Sequence, residues 1–196
     1  MEREHELGLV ADLKAGDEAA FDTIYAHFRP RLFGFLVRLS RSQAVAEDLL
    51  QETWIRLATR APQLQDDTRL APWLFTVARN LFLSYRRWRL LDADRVSELA
   101  RVDQTPAGQS CPFEAVAASE LEQSLERALS RLPLRYREVL LLTTAGEMGP
   151  AEVAQVCELK PAAFRKRLSR ARTMLADQLS KNLPATVPAT SESRSC

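Results

Sequence analysis

The sequence predicts an all-α protein built as two small helical domains joined by a flexible linker. Three observations predict it. Apolar residues recur at three- and four-residue spacing over most of the chain, no segment alternates with the two-residue period of a strand, and only six glycines stand among abundant Leu, Ala, Arg and Glu. Unbranched side chains lose little rotamer freedom in a helix, so this composition favours helices. Hydrophobic residues make up 46% of the 196, enough for real cores.

Residues 4–14 read as a short amphipathic helix carrying Leu7, Val10 and Ala11, ended by Gly16 and Asp17. Asp17 then caps a second helix in which Ala20, Phe21, Ile24, Tyr25 and Phe28 share a face. Pro30 interrupts it, and Leu32, Phe33, Leu36 and Leu39 carry the apolar stripe on. A third helix spans 43–59. A polar connection over 61–70 leads to a fourth at 72–91, with Pro72 at its first position. The pattern fades over 92–118, where Pro106, Gly108 and Pro112 have the character of a linker. Helical spacing returns at 119–131, stops before Pro133 and resumes to Leu142. A short helix at 150–157 and a last one at 161–179 follow, and the tail 181–196 is too polar and proline-rich to pack. The expected organisation is therefore a first module over 1–91, an acidic linker over 92–118, a second module over 119–180 and a disordered tail, the two modules standing apart.

A net charge of +1 conceals segregation. Between Lys160 and Lys181 seven cations face Asp177 alone, a local charge of +6, whereas Glu98 to Glu126 holds six acids against Arg101. Such asymmetry points to an anionic partner for the last helix. The three cysteines, Cys111, Cys157 and Cys196, are odd in number and widely spaced, and the histidines are only His5 and His27. No metal site, disulfide framework or cofactor is expected, and a reducing cytoplasm fits. The acidic start without an apolar run gives no secretory signal, and nowhere do ~18 uninterrupted apolar residues occur.

Residues 151–168 have helix-turn-helix form. Val153, Ala154 and Val156 belong to a supporting helix and Leu159 fills the turn. Phe164, Leu168, Ala171 and Leu175 fall at i, i+4, i+7 and i+11, one inner face. Opposite them stand Ala162, Arg165, Lys166, Ser169 and Arg172, the equipment of a helix laid in the major groove. A solvated basic face is the plainer alternative; the short helix and tight turn ahead of the basic run weigh against it. Cys157, among apolar neighbours, reads as a small core residue.

In the fourth helix Leu74, Val77, Ala78, Leu81 and Tyr85 form a buried face, while Trp73, Thr76, Asn80 and Arg87 lie close to another line. Aromatics interleaved with arginines suit unpaired nucleic acid, where bases stack on rings and phosphates meet cations. In the third helix Leu49, Leu50, Thr53 and Leu57 face inward, and Asp48, Gln51, Glu52 and Ile55 make an acidic stripe with an apolar end.

The run Leu129-Ser130-Arg131-Leu132-Pro133 through Leu142, followed by Ala151-Glu152-Val153-Ala154 and Arg167-Leu168-Ser169-Arg170-Ala171-Arg172, resembles region 4 of extracytoplasmic-function sigma factors. Ala46-Glu47-Asp48-Leu49-Leu50-Gln51-Glu52-Thr53-Trp54 resembles region 2.2 of that family, and the 72–89 helix its regions 2.3 and 2.4. The resemblance implies a non-enzymatic alternative sigma factor that binds core RNA polymerase and directs initiation, with no small-molecule substrate. By the same resemblance Asp48, Gln51, Glu52 and Ile55 dock on the clamp of the β′ subunit. Trp73, Thr76, Asn80 and Arg87 take the melted minus-ten strand, with loop 63–71 forming a base pocket beside Asn80. The second module reads the minus-thirty-five duplex through Ala162, Arg165, Lys166, Ser169 and Arg172 and sits on the β flap. The linker would thread the polymerase cleft, and an anti-sigma factor, often membrane-bound, would hold the free protein. Glu158 stands where glycine is common in that family's turn, and Lys160-Pro161-Ala162-Ala163 replaces its hydroxyl-rich start of the recognition helix. The competing reading is a stand-alone helix-turn-helix regulator, which would have no use for the Asp48 and Asn80 faces; a helical enzyme has little to stand on, with two early histidines, neither beside an evident carboxylate partner, and no phosphate loop.

Overall fold

A computed structural model describes residues 1–99, 120–145 and 147–182. Helices α1 (Arg3–Ala15), α2 (Glu18–Ser40), α3 (Gln43–Arg60) and α4 (Leu70–Leu99) form the first module, with a 3-10 turn at Ala61–Gln63; α5 (Glu120–Arg131), α6 (Leu134–Ala145), α7 (Pro150–Val156) and α8 (Pro161–Asn182) form the second. No strand occurs among the described residues. The linker over 100–119 and the tail from 183 on lie outside them.

Local chemistry sets most helix ends. Gly16 closes α1 in the left-handed region at φ 86°, where a Cβ would be strained, and its N–H reaches back to the α1 carbonyls. The Asp17 carboxylate accepts from the Ala19 N–H to start α2. The buried face of α1 is Glu6, Leu9, Val10 and Leu13, rather than the expected Leu7, Val10 and Ala11, for Leu7 is exposed.

Contrary to the sequence expectation, Pro30 does not interrupt the second helix, which runs unbroken from Glu18 to Ser40. Pro30 and Ala26, whose carbonyl loses its donor, are both exposed, so water can replace the missing bond. Inward, Ile24, Phe28, Leu32, Phe35, Leu36 and Leu39 are almost fully buried on either side of the proline. That burial holds the helix together across the missing bond. The Phe35 and Phe75 rings meet edge to face at 5.3 Å, tying α2 to α4.

Helix α4 begins at Leu70, two residues before the expected start, and continues to Leu99. Leu70 and Ala71 are buried, which carries them into the helix and shortens the loop. In the second module Val139, Leu142, Val153, Phe164 and Ala171 close the core, and α7, a tight turn and α8 form the expected helix-turn-helix.

The two modules do not stand apart. Helix α2 packs on α6, and α4 on α7, and their buried apolar residues form one cluster. Periodicity in one helix cannot report this contact, because it is made by residues far apart in sequence.

Replacing Pro30 by Ala restores one helical hydrogen bond on the solvent side. Urea denaturation is expected to show a stabilisation of ~1–3 kcal/mol; a loss of stability would mean that the proline's restriction of the unfolded chain outweighs the recovered bond.

Candidate functional site

Three surfaces hold the residues singled out from the sequence. The first is the outer side of α3. Asp48, Gln51 and Ile55 are exposed there, Ile55 to 49%, while Leu49, Leu50, Thr53, Trp54 and Leu57 are buried beneath. Glu52 is half-buried and engaged by Arg56 one turn on, at 2.9 Å. Beside this face lies a groove of about 490 Å³ lined by Phe21, Tyr25, Leu50, Gln51, Trp54 and Ile55. Tyr25 and Trp54 meet at 4.9 Å between centroids, and the buried Trp54 Nε1 has no hydrogen-bond partner. The groove escaped the sequence reading because Phe21 and Tyr25 have core spacing, yet both are only partly buried.

The second surface is the outer side of α4. Trp73, Thr76 and Asn80 line one hollow of about 650 Å³ together with Arg56 and Arg60 of α3, and Gln65, Asp67, Thr68 and Arg69 of the loop. Of the 63–71 loop, Gln65, Asp67, Thr68 and Arg69 share the hollow with Asn80. Arg87, exposed two turns further on, does not line this hollow. Helix α7 contributes Glu152, Gln155 and Val156 to the same cavity. On the inner side Leu74, Ala78 and Leu81 are buried as expected, and Phe75 and Phe82 join them. Val77 and Tyr85 are only partly buried.

The loop and the start of α4 are fixed by a residue the sequence reading left unassigned. The Glu6 carboxylate, 3% exposed, accepts from the Leu70 N–H at 2.8 Å. It also pairs with Arg3 at 2.8 Å and Arg69 at 3.1 Å. A carboxylate at a helix N-terminus satisfies orphan N–H groups and meets the positive end of the helix dipole. Arg3 further donates to the Asp67 carbonyl at 2.6 Å, and Lys14 pairs with Asp66. An acid inside an otherwise apolar helix face was the available signal.

The third surface is the outer side of α8, where Ala162, Arg165, Lys166, Ser169 and Arg172 are all exposed. Phe164 and Ala171 are buried on the inner side and Leu168 and Leu175 partly so. Next to Lys166 a basic hollow of about 290 Å³ gathers Arg135, Tyr136, Arg167 and Arg170. The guanidinium of Arg135 lies 4.9 Å from the Tyr136 ring centre.

Between the second surface and the turn of the helix-turn-helix lies Arg79, 8% exposed. It donates to the Glu138 carboxylate, to Glu158 Oε1 at 3.1 Å and to the Cys157 carbonyl at 3.5 Å. Burial opposes its charge, but the attraction and hydrogen bond of Glu138, helped by Glu158, prevail and hold it above the ordinary arginine range. Burial, reinforced by Glu138, pushes the Cys157 thiol up to about 12, so it carries essentially no thiolate at neutral pH. Glu158 sits at φ 55°, a left-handed conformation that costs a non-glycine residue roughly 1–2 kcal/mol. Among the described residues no group of three or more His, Cys, Asp or Glu is placed to hold a metal ion, and no helix is long and apolar enough to cross a membrane.

The sigma-70 region 2 family model matches residues 24–89, and the sigma-70 region 4 model residues 122–175. Over 159 residues the chain is 32% identical to the ECF RNA polymerase sigma factor SigM of Bacillus subtilis, covering 79% of this chain and 91% of that protein. It is likewise 32% identical over 148 residues to the sigma factor EcfG of Rhodopseudomonas palustris, covering 75% and 78%. Among solved structures, the sigma factor RpoE of Bartonella quintana in complex with the anti-sigma factor NepR superposes with a TM-score of 0.66 at 26% identity, covering 82% of this chain and 96% of that one. CnrH in complex with the cytosolic domain of CnrY shares the fold, with a TM-score of 0.67 at 22% identity over 90% of this chain and 98% of that one.

Glu6→Ala removes the acceptor at the start of α4 and leaves Arg69 without its buried partner. A loss of ~2–3 kcal/mol in denaturant is expected, with faster amide exchange at Leu70 and through 65–69. Unchanged exchange there would show that the loop is held by something else.

Proposed function

The chain belongs to the extracytoplasmic-function family of RNA polymerase sigma factors, and from that premise we propose how its three surfaces divide the work of directing transcription initiation. The outer face of α3 docks on the polymerase clamp. Asp48, Gln51 and Glu52 accept hydrogen bonds from cationic and amide donors, and Ile55 seals the apolar end against the partner. Glu52 exchanges its own Arg56 for a polymerase cation, so its local pair is only a resting partner. As a domain division we keep a first module over 1–91 and a second over 119–180, with 92–118 linking them.

The hollow on α4 takes the unpaired minus-ten strand. One observation carries this reading above the others: Trp73, Thr76 and Asn80 share a single cavity with Arg56, Arg60 and Arg69. A ring for stacking, an amide for a base edge and cations for phosphates are what capture of a single strand requires. Pulling a base from the stack costs a few kcal/mol, which stacking and edge contacts at Asn80 offset. Arg87 binds backbone further along. On the second module, Ala162, Arg165, Lys166, Ser169 and Arg172 lie in the minus-thirty-five major groove, the small Ala162 allowing close approach and the cations reaching phosphates and base edges.

Sigma factors are regulatory DNA-binding proteins, and we assign this chain no catalysis of its own. We place it in the cytoplasm beside polymerase and promoter DNA, held when inactive by an anti-sigma factor, as NepR is bound to the RpoE relative. Polymerase engagement and strand capture together separate this reading from a free-standing regulator of duplex DNA.

Two variants test it. Reversing Asp48 and Glu52 to Lys is expected to weaken core-polymerase binding by at least ~tenfold in a pull-down or anisotropy titration, with helical circular dichroism unchanged; undiminished affinity would refute the docking face. Asn80→Ala is expected to leave polymerase binding intact while reducing permanganate reactivity of promoter thymines, and normal reactivity would remove Asn80 from strand capture.

A further inference from the structure

We infer that Arg3 of α1 is a positioning residue of the strand-capture hollow: it holds the backbone of the 65–69 loop in one arrangement and, through that loop, sets which base the hollow prefers.

The loop has no core of its own. Leu64 and Leu70 are buried at its two ends, while Gln65, Asp66, Asp67 and Arg69 are exposed and Thr68 is half-buried. A segment without buried apolar side chains opens at little cost unless polar contacts hold it. One such contact is internal, from the Thr68 N–H to the Gln65 carbonyl at 3.0 Å. The others come from α1. Arg3 donates to the Asp67 carbonyl at 2.6 Å and to the Thr68 carbonyl at 3.4 Å, so one guanidinium spans two consecutive peptide units. The same guanidinium pairs with one Glu6 oxygen at 2.8 Å, and the other Glu6 oxygen accepts from the Leu70 N–H at 2.8 Å. Lys14, near the far end of α1, pairs with Asp66.

These contacts hold the hollow without entering it. Gln65, Asp67, Thr68 and Arg69 line it beside Trp73, Thr76 and Asn80, whereas Arg3, Glu6 and Lys14 do not. Arg3 therefore acts through the loop and not on the strand. Its planar fork suits two acceptors at once, which a single ammonium matches poorly. Because it grips main-chain oxygens, the side chains of Asp67 and Thr68 are left to the hollow.

Those side chains carry hydrogen-bonding chemistry that can tell bases apart. A carboxylate accepts from an exocyclic amine, and a hydroxyl donates or accepts. Such contacts discriminate only where the groups stand ready in place. A base that uses them gains from a loop already ordered, since no ordering is left for binding to impose. A base that does not use them gains nothing. Specificity is the difference between the two, so loosening the loop lowers the preferred base toward the others.

The inference rests on the proposed capture of the unpaired strand at α4. The test uses the full chain with core RNA polymerase and sets of four promoter templates that differ only in the base at one melted minus-ten position. Each position is taken in turn and read by run-off transcription. Arg3→Met keeps the aliphatic stem and removes the donors. It is expected to lower transcription from the preferred template and to leave the three poorer ones unchanged, so that the preference at one position falls at least ~threefold. Polymerase affinity should stay the same, and amide exchange should quicken at Thr68 but not in α2. Lys14→Met loosens the loop from the other end of α1, should give a smaller fall in preference, and carries the test if Arg3→Met does not fold. A purely structural role weakens all four templates alike. An equal fall on the four, or no change at any position, would therefore overturn the inference. Failure of strand capture itself registers separately, as normal promoter melting by Asn80→Ala in the polymerase complex.

Discussion

The way α4 is held is the constraint on which the other features of the chain depend. One helix must bury Leu74, Phe75, Ala78, Leu81 and Phe82 in the core and present Trp73, Thr76 and Asn80 outward, so any rotation or slip exchanges core for surface. Three grips prevent it. The Glu6 carboxylate fixes the first turn, the Phe35–Phe75 contact fixes the inward face, and Arg79 fixes the middle against the second module. The polar grips are strong because they are buried. Taking away one partner of such a pair strands the other charge at a cost of several kcal/mol, whereas the intact pair sets orientation more than it adds stability.

The same division between inward and outward faces serves α3 and α8. Alternate sides of α3 supply Leu49, Trp54 and Leu57 to the core and Asp48, Gln51 and Ile55 to solvent. In α8, Phe164 and Ala171 anchor the helix while Arg165, Lys166 and Arg172 project from it. Rigid helices carrying exposed side chains at fixed spacing give more precise placement than loops, which suits a protein that recognises two DNA elements and a polymerase surface at once. Only the 65–69 loop departs from this plan, and it is tied to α1 through Arg3, Glu6 and Lys14. Cys157, buried with its thiol pushed up to about 12, belongs to this scaffold as a small core residue.

Helix number, helix order and the outward faces were legible in the sequence because each is a local, periodic property. The stripes of α3, α4 and α8 fall where spacing placed them, and Asp17 caps as its position implied. Pro30 misled because proline's effect depends on whether the freed carbonyl meets water, a question of burial rather than of sequence. The start of α4 lies earlier than spacing implies for a similar reason, since Leu70 and Ala71 are drawn into the helix by burial and by the Glu6 carboxylate, 64 residues away, which accepts from the Leu70 N–H. Arg79 and Glu138 drew no notice as a pair. Each looks like an ordinary charged position on its own helix, and only the packing of α4 and α6 residues across the modules makes them partners. The groove beside Trp54 belongs to the same class, for it is assembled from two helices.

The two helical modules of this sigma factor meet through ion pairs such as Arg31 with Glu147, Arg38 with Glu126 and Arg79 with Glu138, so the faces they carry are set relative to one another. The most direct measurement of the central claim is to reconstitute the full chain with core RNA polymerase on genomic DNA and map the 5′ ends of the transcripts. The account predicts starts concentrated at sites sharing one upstream duplex element and one melted element, absent with core polymerase alone. Starts no more specific than those of core polymerase, with the chain alone occupying duplex sites as a free dimer, would contradict it.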